Sequence, residues 1–175
     1  MSLRHALLGL LADHPASGYD LLKRFDTSLA FVWPATQSQL YGELKRLADA
    51  GLIEAAATGP RRRTDYAITE AGRAELAHWL TEVEPEHSRR NDALLRVFFL
   101  WAVDPAQAVD YLEREARLYR QFGEALRQVA DTVAWDESGF DRCARLALEN
   151  GLRVSEANAA WAEWAAGEVA GDTDG

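Results

Sequence analysis

The stretch from Trp33 to Thr69 constrains the fold more than any other part of this 175-residue chain. Leu40, Leu44 and Leu47 recur at i, i+4 and i+7, which predicts an amphipathic helix over about 36–50, opened by Thr36 or Ala35 after Pro34. It leads into Gly51-Leu52-Ile53. Two short runs near 52–58 and 62–68 then read as strands, joined at a tip of Gly59-Pro60-Arg61-Arg62-Arg63. A helix with a polar outer face beside a cationic hairpin suits a major groove and its neighbouring phosphates.

Upstream, Leu3, Ala6, Leu7, Leu10 and Leu11 predict a first helix ending near Pro15. Ser17 is placed to cap a second, with Tyr19, Leu21, Leu22 and Phe25 as its apolar face. Downstream, Thr69 caps a fourth helix striped by Leu76, Trp79, Leu80 and Val83. Three helices followed by a two-stranded hairpin is the order of a winged helix-turn-helix. Glu84-Pro85-Glu86 marks a break, so this first domain is set at 1–84.

The second half reads as all helix. Asn91 to Trp101 is apolar almost all round and is expected to be covered on several sides. Asp104-Pro105 starts a helix whose stripe is Leu112, Tyr119, Phe122, Leu126, Val129 and Val133, interrupted by Glu115. A last helix spans about 138–166, with Ala144, Ala147, Gly151 and Ser155 as a low ridge for close approach. One copy offers few partners to cover these helices, so a second copy is the economical reading. The fold expected is mainly α: a winged helix-turn-helix, then an all-helical dimerisation domain over 85–170, then a disordered tail over 171–175.

Charge at first argues against a nucleic-acid partner, because the net value is −9. Residues 1–80, however, carry nine Lys/Arg and nine Asp/Glu, while residues 81–175 carry ten and nineteen. The excess negative charge therefore belongs to the second half, and local cationic clusters set a phosphate footprint. The single cysteine, Cys143, rules out an internal disulfide framework and suits a reducing cytoplasm. The beginning of the chain lacks a signal-peptide pattern, and no apolar run reaches the roughly 18 residues of a membrane helix. A cytoplasmic location without membrane contact is expected.

Several motifs resemble one family. Leu3-Arg4-His5-Ala6-Leu7-Leu8-Gly9-Leu10-Leu11, Gly18-Tyr19-Asp20-Leu21 and Gln39-Leu40-Tyr41 with Leu44, Leu47, Gly51, Leu52 and Ile53 resemble the PadR family of bacterial transcriptional regulators. Tyr66-Ala67-Ile68-Thr69-Glu70-Ala71-Gly72 matches its wing ending and next helix. The likeness is dense over 3–80; beyond that, the acidic helical half is similar to the family's longer, Vir-type C-terminal region. The resemblance implies a homodimer on a palindromic operator of double-stranded DNA, usually a repressor, often released by a small molecule.

On the predicted third helix, Ser38, Gly42 and Lys45 point away from the leucine face, with Tyr41 beside them and Thr36 and Gln37 at the start. Gln can pair bidentately with adenine, and Gly42 removes a side chain where the backbone nears DNA. Arg61, Arg62 and Arg63 suit phosphates or an adjacent minor groove. Three arginines in a row are commonly just a solvated loop; beside a recognition helix, phosphate contact is favoured. Lys23, Arg24 and Arg46 are secondary candidates.

Six tryptophans could frame an aromatic effector pocket, although core packing is the preferred reading for any one of them. Phe98, Phe99, Trp101 and Trp161 are the pocket candidates for a small aromatic or hydrophobic effector. No cofactor, metal site or catalytic residue is expected: the four histidines are scattered, and no phosphate loop or nucleophile motif is present. Cys143, on a stripe with Phe140, Ala144 and Ala147, is expected to be a packed, inert thiol. A winged helix used as a non-DNA adaptor, gripping an acidic partner, is the rival reading.

Overall fold

The computed structural model describes residues 2–59, 63–86 and 90–171. It forms two compact units, Met1–Glu86 and His87–Gly175.

In the first unit, α1 (Ser2–Asp13), α2 (Gly18–Ser28), α3 (Gln37–Asp49) and α4 (Glu70–Thr81) accompany three strands, β1 (Ala16–Ser17), β2 (Ile53–Gly59) and β3 (Arg63–Ile68). The expected two-stranded wing is thus a three-stranded antiparallel sheet ordered β1-β3-β2. Ala16 pairs with Tyr66 and Ser17 with Asp65, a two-residue bridge too short to leave an alternating signal in sequence.

Helix α1 is the core element, because Leu7, Leu8, Leu10 and Leu11 are all buried. It packs against α2, α3, α4 and β3, so no side of its apolar surface needs to face water. Ser17 accepts the Asp20 N–H at 3.2 Å and caps α2, which buries Leu21 and Phe25. Tyr19 does not join that face; it is exposed.

The α3 end follows from one glycine. Gly51 has φ 69°, a left-handed conformation that a side chain would strain. Leu52 N–H then reaches back to the Leu47 carbonyl at 3.0 Å, closing the helix and aiming the chain into β2. Thr69 caps α4 by accepting the Gly72 N–H at 3.1 Å, and its hydroxyl donates to the Gly51 carbonyl at 2.8 Å. The stripe foreseen for α4 is corrected. Gly72 is its buried residue, Leu80 is exposed, and exposed Val83 lies beyond the helix end.

In the second unit, the apolar run at 91–101 is not one covered helix. It divides into α5 (Asp92–Val97) and a 3-10 turn, Leu100–Ala102, and Leu94, Leu95, Phe98, Phe99 and Trp101 are exposed in the single chain. The Tyr111 hydroxyl donates to the Ala93 carbonyl at 2.9 Å and ties α5 to the next helix. Burial first, then the Glu115 carboxylate, pushes the Tyr111 pKa above its ordinary value, which preserves that donor.

Helices α6 (Pro105–Thr132) and α7 (Gly139–Gly171) pack closely along their length. Proline occupies the first turn of α6, as foreseen, and the Asp104 N–H donates to Gln107 Oε1 at 3.3 Å. A Cβ on Gly123 would lie 2.9 Å from Ser155 Oγ, and one on Gly151 would lie 2.7 Å from Leu126 Cδ1. Those two contacts run in opposite directions along the chain, so the pair is antiparallel.

The seam differs from the expected stripe. Ala108, Leu112, Ala116, Gly123 and Leu126 meet Leu148, Ser155, Ala159, Ala162 and Ala166, while Phe122 is exposed and Tyr119 only half-buried. Small side chains let two long helices touch, and large ones are displaced to the flanks. Ala147, foreseen on the low ridge, is exposed, and so is Cys143; the packed-thiol expectation is corrected because its side of α7 faces away from α6. α7 also continues to Gly171, one residue into the expected tail, and the rest of that tail lies outside the described residues.

Candidate nucleic-acid interface

Helix α3 is built to present one face. Leu40, Leu44 and Leu47 are buried, and Glu43 joins them at 6% exposure, a residue the periodicity did not single out. Its carboxylate accepts Arg46 Nη1 at 2.5 Å, which explains how a charge sits there. The opposite side carries exposed Gln37, Ser38, Tyr41, Lys45 and Arg46 and half-buried Gly42. A Cβ added at Gly42 would meet nothing within 4 Å, so the space outside it is open.

The helix start is fixed by a reciprocal cap. Thr36 Oγ1 accepts the Gln39 N–H at 3.3 Å, and Gln39 Oε1 accepts the Thr36 N–H at 2.8 Å. Thr36 is therefore committed to the helix itself. Gln37 and Ser38 follow it in the first turn, where backbone N–H groups lack helical partners and favour anions.

Tyr41 is oriented differently from these two. Its ring leans on the start of α2, so near that a Cβ on Gly18 would lie 2.8 Å from Cε1. Tyr41 thereby shares a cleft with Ser17, Gly18, Tyr19, Thr64 and Tyr66, a grouping that sequence reasoning missed. The adjacent Gly18-Tyr19 was its sole trace in the sequence, and nothing local connects that pair to residues 41 and 66.

The hairpin beside α3 pairs Ile53 with Ile68 and Gly59 with Arg63, with an irregularity between Ala55 and Ala57. Arg63 is thus placed by its backbone at the start of β3, next to the tip. Arg61 and Arg62 lie outside the described residues. Of the secondary candidates, Lys23 is exposed, whereas Arg24 is engaged within the fold: Nη2 donates to Asp13 Oδ2 at 2.7 Å, binding α2 to the end of α1.

In the second unit, Phe98, Phe99 and Trp101 are 71%, 59% and 82% exposed. Trp161 is half-buried on α7. Among the described residues no group of three His, Cys, Asp or Glu side chains could hold a metal ion, and no helix is long and apolar enough to cross a membrane.

A capped helix with a polar outer face, packed on α1 and flanked by a three-stranded wing, defines a winged helix-turn-helix unit. Residues 7–78 match the model of the transcriptional regulator PadR-like family, and residues 89–170 match the model described as virulence activator alpha C-term. The chain belongs to the PadR family of transcriptional regulators.

The probable transcriptional regulator Rv1176c of Mycobacterium tuberculosis (strain ATCC 25618 / H37Rv) is 39% identical over 98 residues, 54% of this chain and 52% of that protein. The chain thus spans about half the length of that relative. The negative transcriptional regulator PadR of Bacillus subtilis (strain 168) is 29% identical over 170 residues, 92% of this chain and 93% of that one. Crystal structures of Bacillus subtilis PadR in complex with operator DNA and with p-coumaric acid superpose with TM-scores of 0.82 and 0.83. Each is 26% identical and covers 97% of this chain and 99% of its own. These relatives are transcriptional regulators, not enzymes.

Proposed function

We propose that this protein is a homodimeric, sequence-specific DNA-binding regulator, a repressor released from a palindromic operator by a small aromatic or hydrophobic effector. The observation that carries the reading is the outward face of α3, where Gln37, Ser38 and Lys45 stand exposed beside the wing while the leucine face is buried. Gln37 and Lys45 reach base edges, and the arginines at 61–63 hold the flanking backbone. The likeness to a regulator solved on its operator supports DNA as partner, and its complex with p-coumaric acid supports a planar effector.

A second copy is supported by exposed Leu94, Leu95, Phe98, Phe99, Trp101 and Trp164, more apolar surface than a lone soluble unit normally leaves wet. Two recognition helices then enter successive major grooves about 34 Å apart. The effector acts by binding better to a dimer whose helix spacing misfits the operator.

The test is capture and sequencing of bound genomic fragments, followed by gel shift across a salt series and light-scattering mass in solution. A palindromic consensus bound by a dimer is expected. No shift at low salt overturns the DNA reading in favour of an adaptor that grips an acidic protein. Tryptophan fluorescence that stays unaltered across a panel of planar phenolic compounds overturns the effector.

A further inference from the structure

A cleft of about 380 Å³ opens where the start of α2, the flank of α3 and strand β3 meet. Tyrosines from all three elements line it. Tyr19 stands on α2 at 67% exposure, Tyr41 comes from α3 across Gly18, and Tyr66 rises from β3 with Thr64 on the same strand face. Among the described residues, none of the three phenol hydroxyls has a hydrogen-bond partner. Ser17 differs, since its hydroxyl donates to Asp20 Oδ2 at 2.8 Å.

We propose that this cleft seats a backbone phosphate of the DNA strand bordering the groove that α3 enters, and that Tyr19, Tyr41 and Tyr66 donate to it. The proposal rests on the DNA-binding reading above and assigns the contact to neutral donors rather than to cations. A hydroxyl donating to an ionised oxygen makes a short bond, stronger than one between neutral groups. Phosphate and sugar receive half to two-thirds of protein–DNA hydrogen bonds, with tyrosine among the common donors.

Position supports the same occupant. Lys23 follows Tyr19 by one turn of α2 and Lys45 follows Tyr41 by one turn of α3, so two of the three phenols have an exposed cation on their own helical face. The acidic residue in the first turn of α2, Asp20, is turned to Ser17 and does not line the cleft. The cleft lies between α3 and the wing strand β3, the two elements that the DNA-binding reading assigns to the groove and to its flanking backbone.

Phenylalanine replacements test it, because they keep the rings and the packing of Tyr41 on Gly18. Labelled operator and random duplexes are titrated by fluorescence anisotropy at several salt concentrations against Tyr19→Phe, Tyr41→Phe, Tyr66→Phe and the triple variant. Each single change is expected to weaken both duplexes by about five- to tenfold, since a phosphate contact carries no sequence information. The slope of log affinity against log salt stays unchanged, because no cation is removed. The melting temperature stays at the wild-type value. Unchanged affinity in the triple variant, beside a wild type that binds, overturns the cleft assignment and leaves DNA binding standing. A loss confined to operator, a changed salt slope or a lowered melting temperature likewise overturns it. A wild type that binds neither duplex overturns both readings.

Discussion

The imidazole of His5 lies flat on the indole of Trp79, with ring centroids 4.5 Å apart and planes 3° from parallel. His5 is 6% exposed, and its Nε2 donates to Glu75 Oε1 at 3.2 Å. One side chain of α1 therefore holds two positions on α4, one turn apart. His5→Ala is expected to lower the unfolding free energy by about 2 kcal/mol, because it removes both the ring stacking and a hydrogen bond. His5→Phe retains the stacking alone and is expected to fall between. Urea denaturation followed by tryptophan fluorescence measures both; equal losses would show that the ring stacking contributes nothing.

Gly72 and Gly151 make a paired test of close approach. A Cβ on Gly72 would lie 2.1 Å from the Leu52 carbonyl oxygen and 2.8 Å from Ile68 Cγ1, and the backbone there is fixed by the Thr69 N–H bond to the same carbonyl. At Gly151 the neighbour is Leu126 Cδ1 at 2.7 Å, the end of a side chain that can rotate. Gly72→Ala should destabilise the first unit by about 2–3 kcal/mol. Gly151→Ala should stay within about 1 kcal/mol of wild type, since gained helix propensity offsets the crowding. Thermal melts of the two variants decide it, and a larger loss at Gly151 would contradict the geometry.

The turn between α6 and α7 carries an acid-sensitive group. Hydrogen bonds from Ser138, chiefly its side chain and then its backbone N–H, hold the Asp136 carboxyl below its ordinary 3.8. The backbone bond measures 2.7 Å. A carboxyl lowered on folding stabilises the fold above its unfolded value and loses that contribution as pH falls through the lower folded one. Asp136→Asn should therefore be less stable than wild type at neutral pH, with the difference closing below pH 3.8. Denaturation midpoints from pH 7 to 2 check the sign, and a difference that widens in acid would refute it.

Base reading and backbone clamping should separate by salt. Arg61→Ala with Arg62→Ala is expected to weaken every duplex and to lower the salt slope by about 0.9 for each phosphate that is no longer neutralised. Gln37→Ala should instead change the ranking of operator variants, by about 1–3 kcal/mol at one base pair. Binding titrations over a panel of single-base variants distinguish them. A double arginine variant that binds normally at every salt concentration would remove the wing from the interface.

Local physics was legible in the sequence wherever a few neighbouring residues decide the outcome. Leucine spacing set α3, Thr69 began α4 and Asp104-Pro105 began α6, because caps and periodicity act within a turn or two, whereas the structure chose Thr36 over Ala35 as the α3 cap and showed Gly51 ending that helix. The family and its winged helix were readable for the same reason, as motifs at fixed spacing. How distant segments meet was decided only by the tertiary structure. It paired Ala16 with Tyr66, turned Tyr41 onto Gly18, left Cys143 and Phe122 in solvent, and divided the 91–101 run into short exposed pieces. A helical stripe tells that a face is apolar; which element approaches it, and how closely, depends on small residues such as Gly123 and Ser155 meeting across a helix pair.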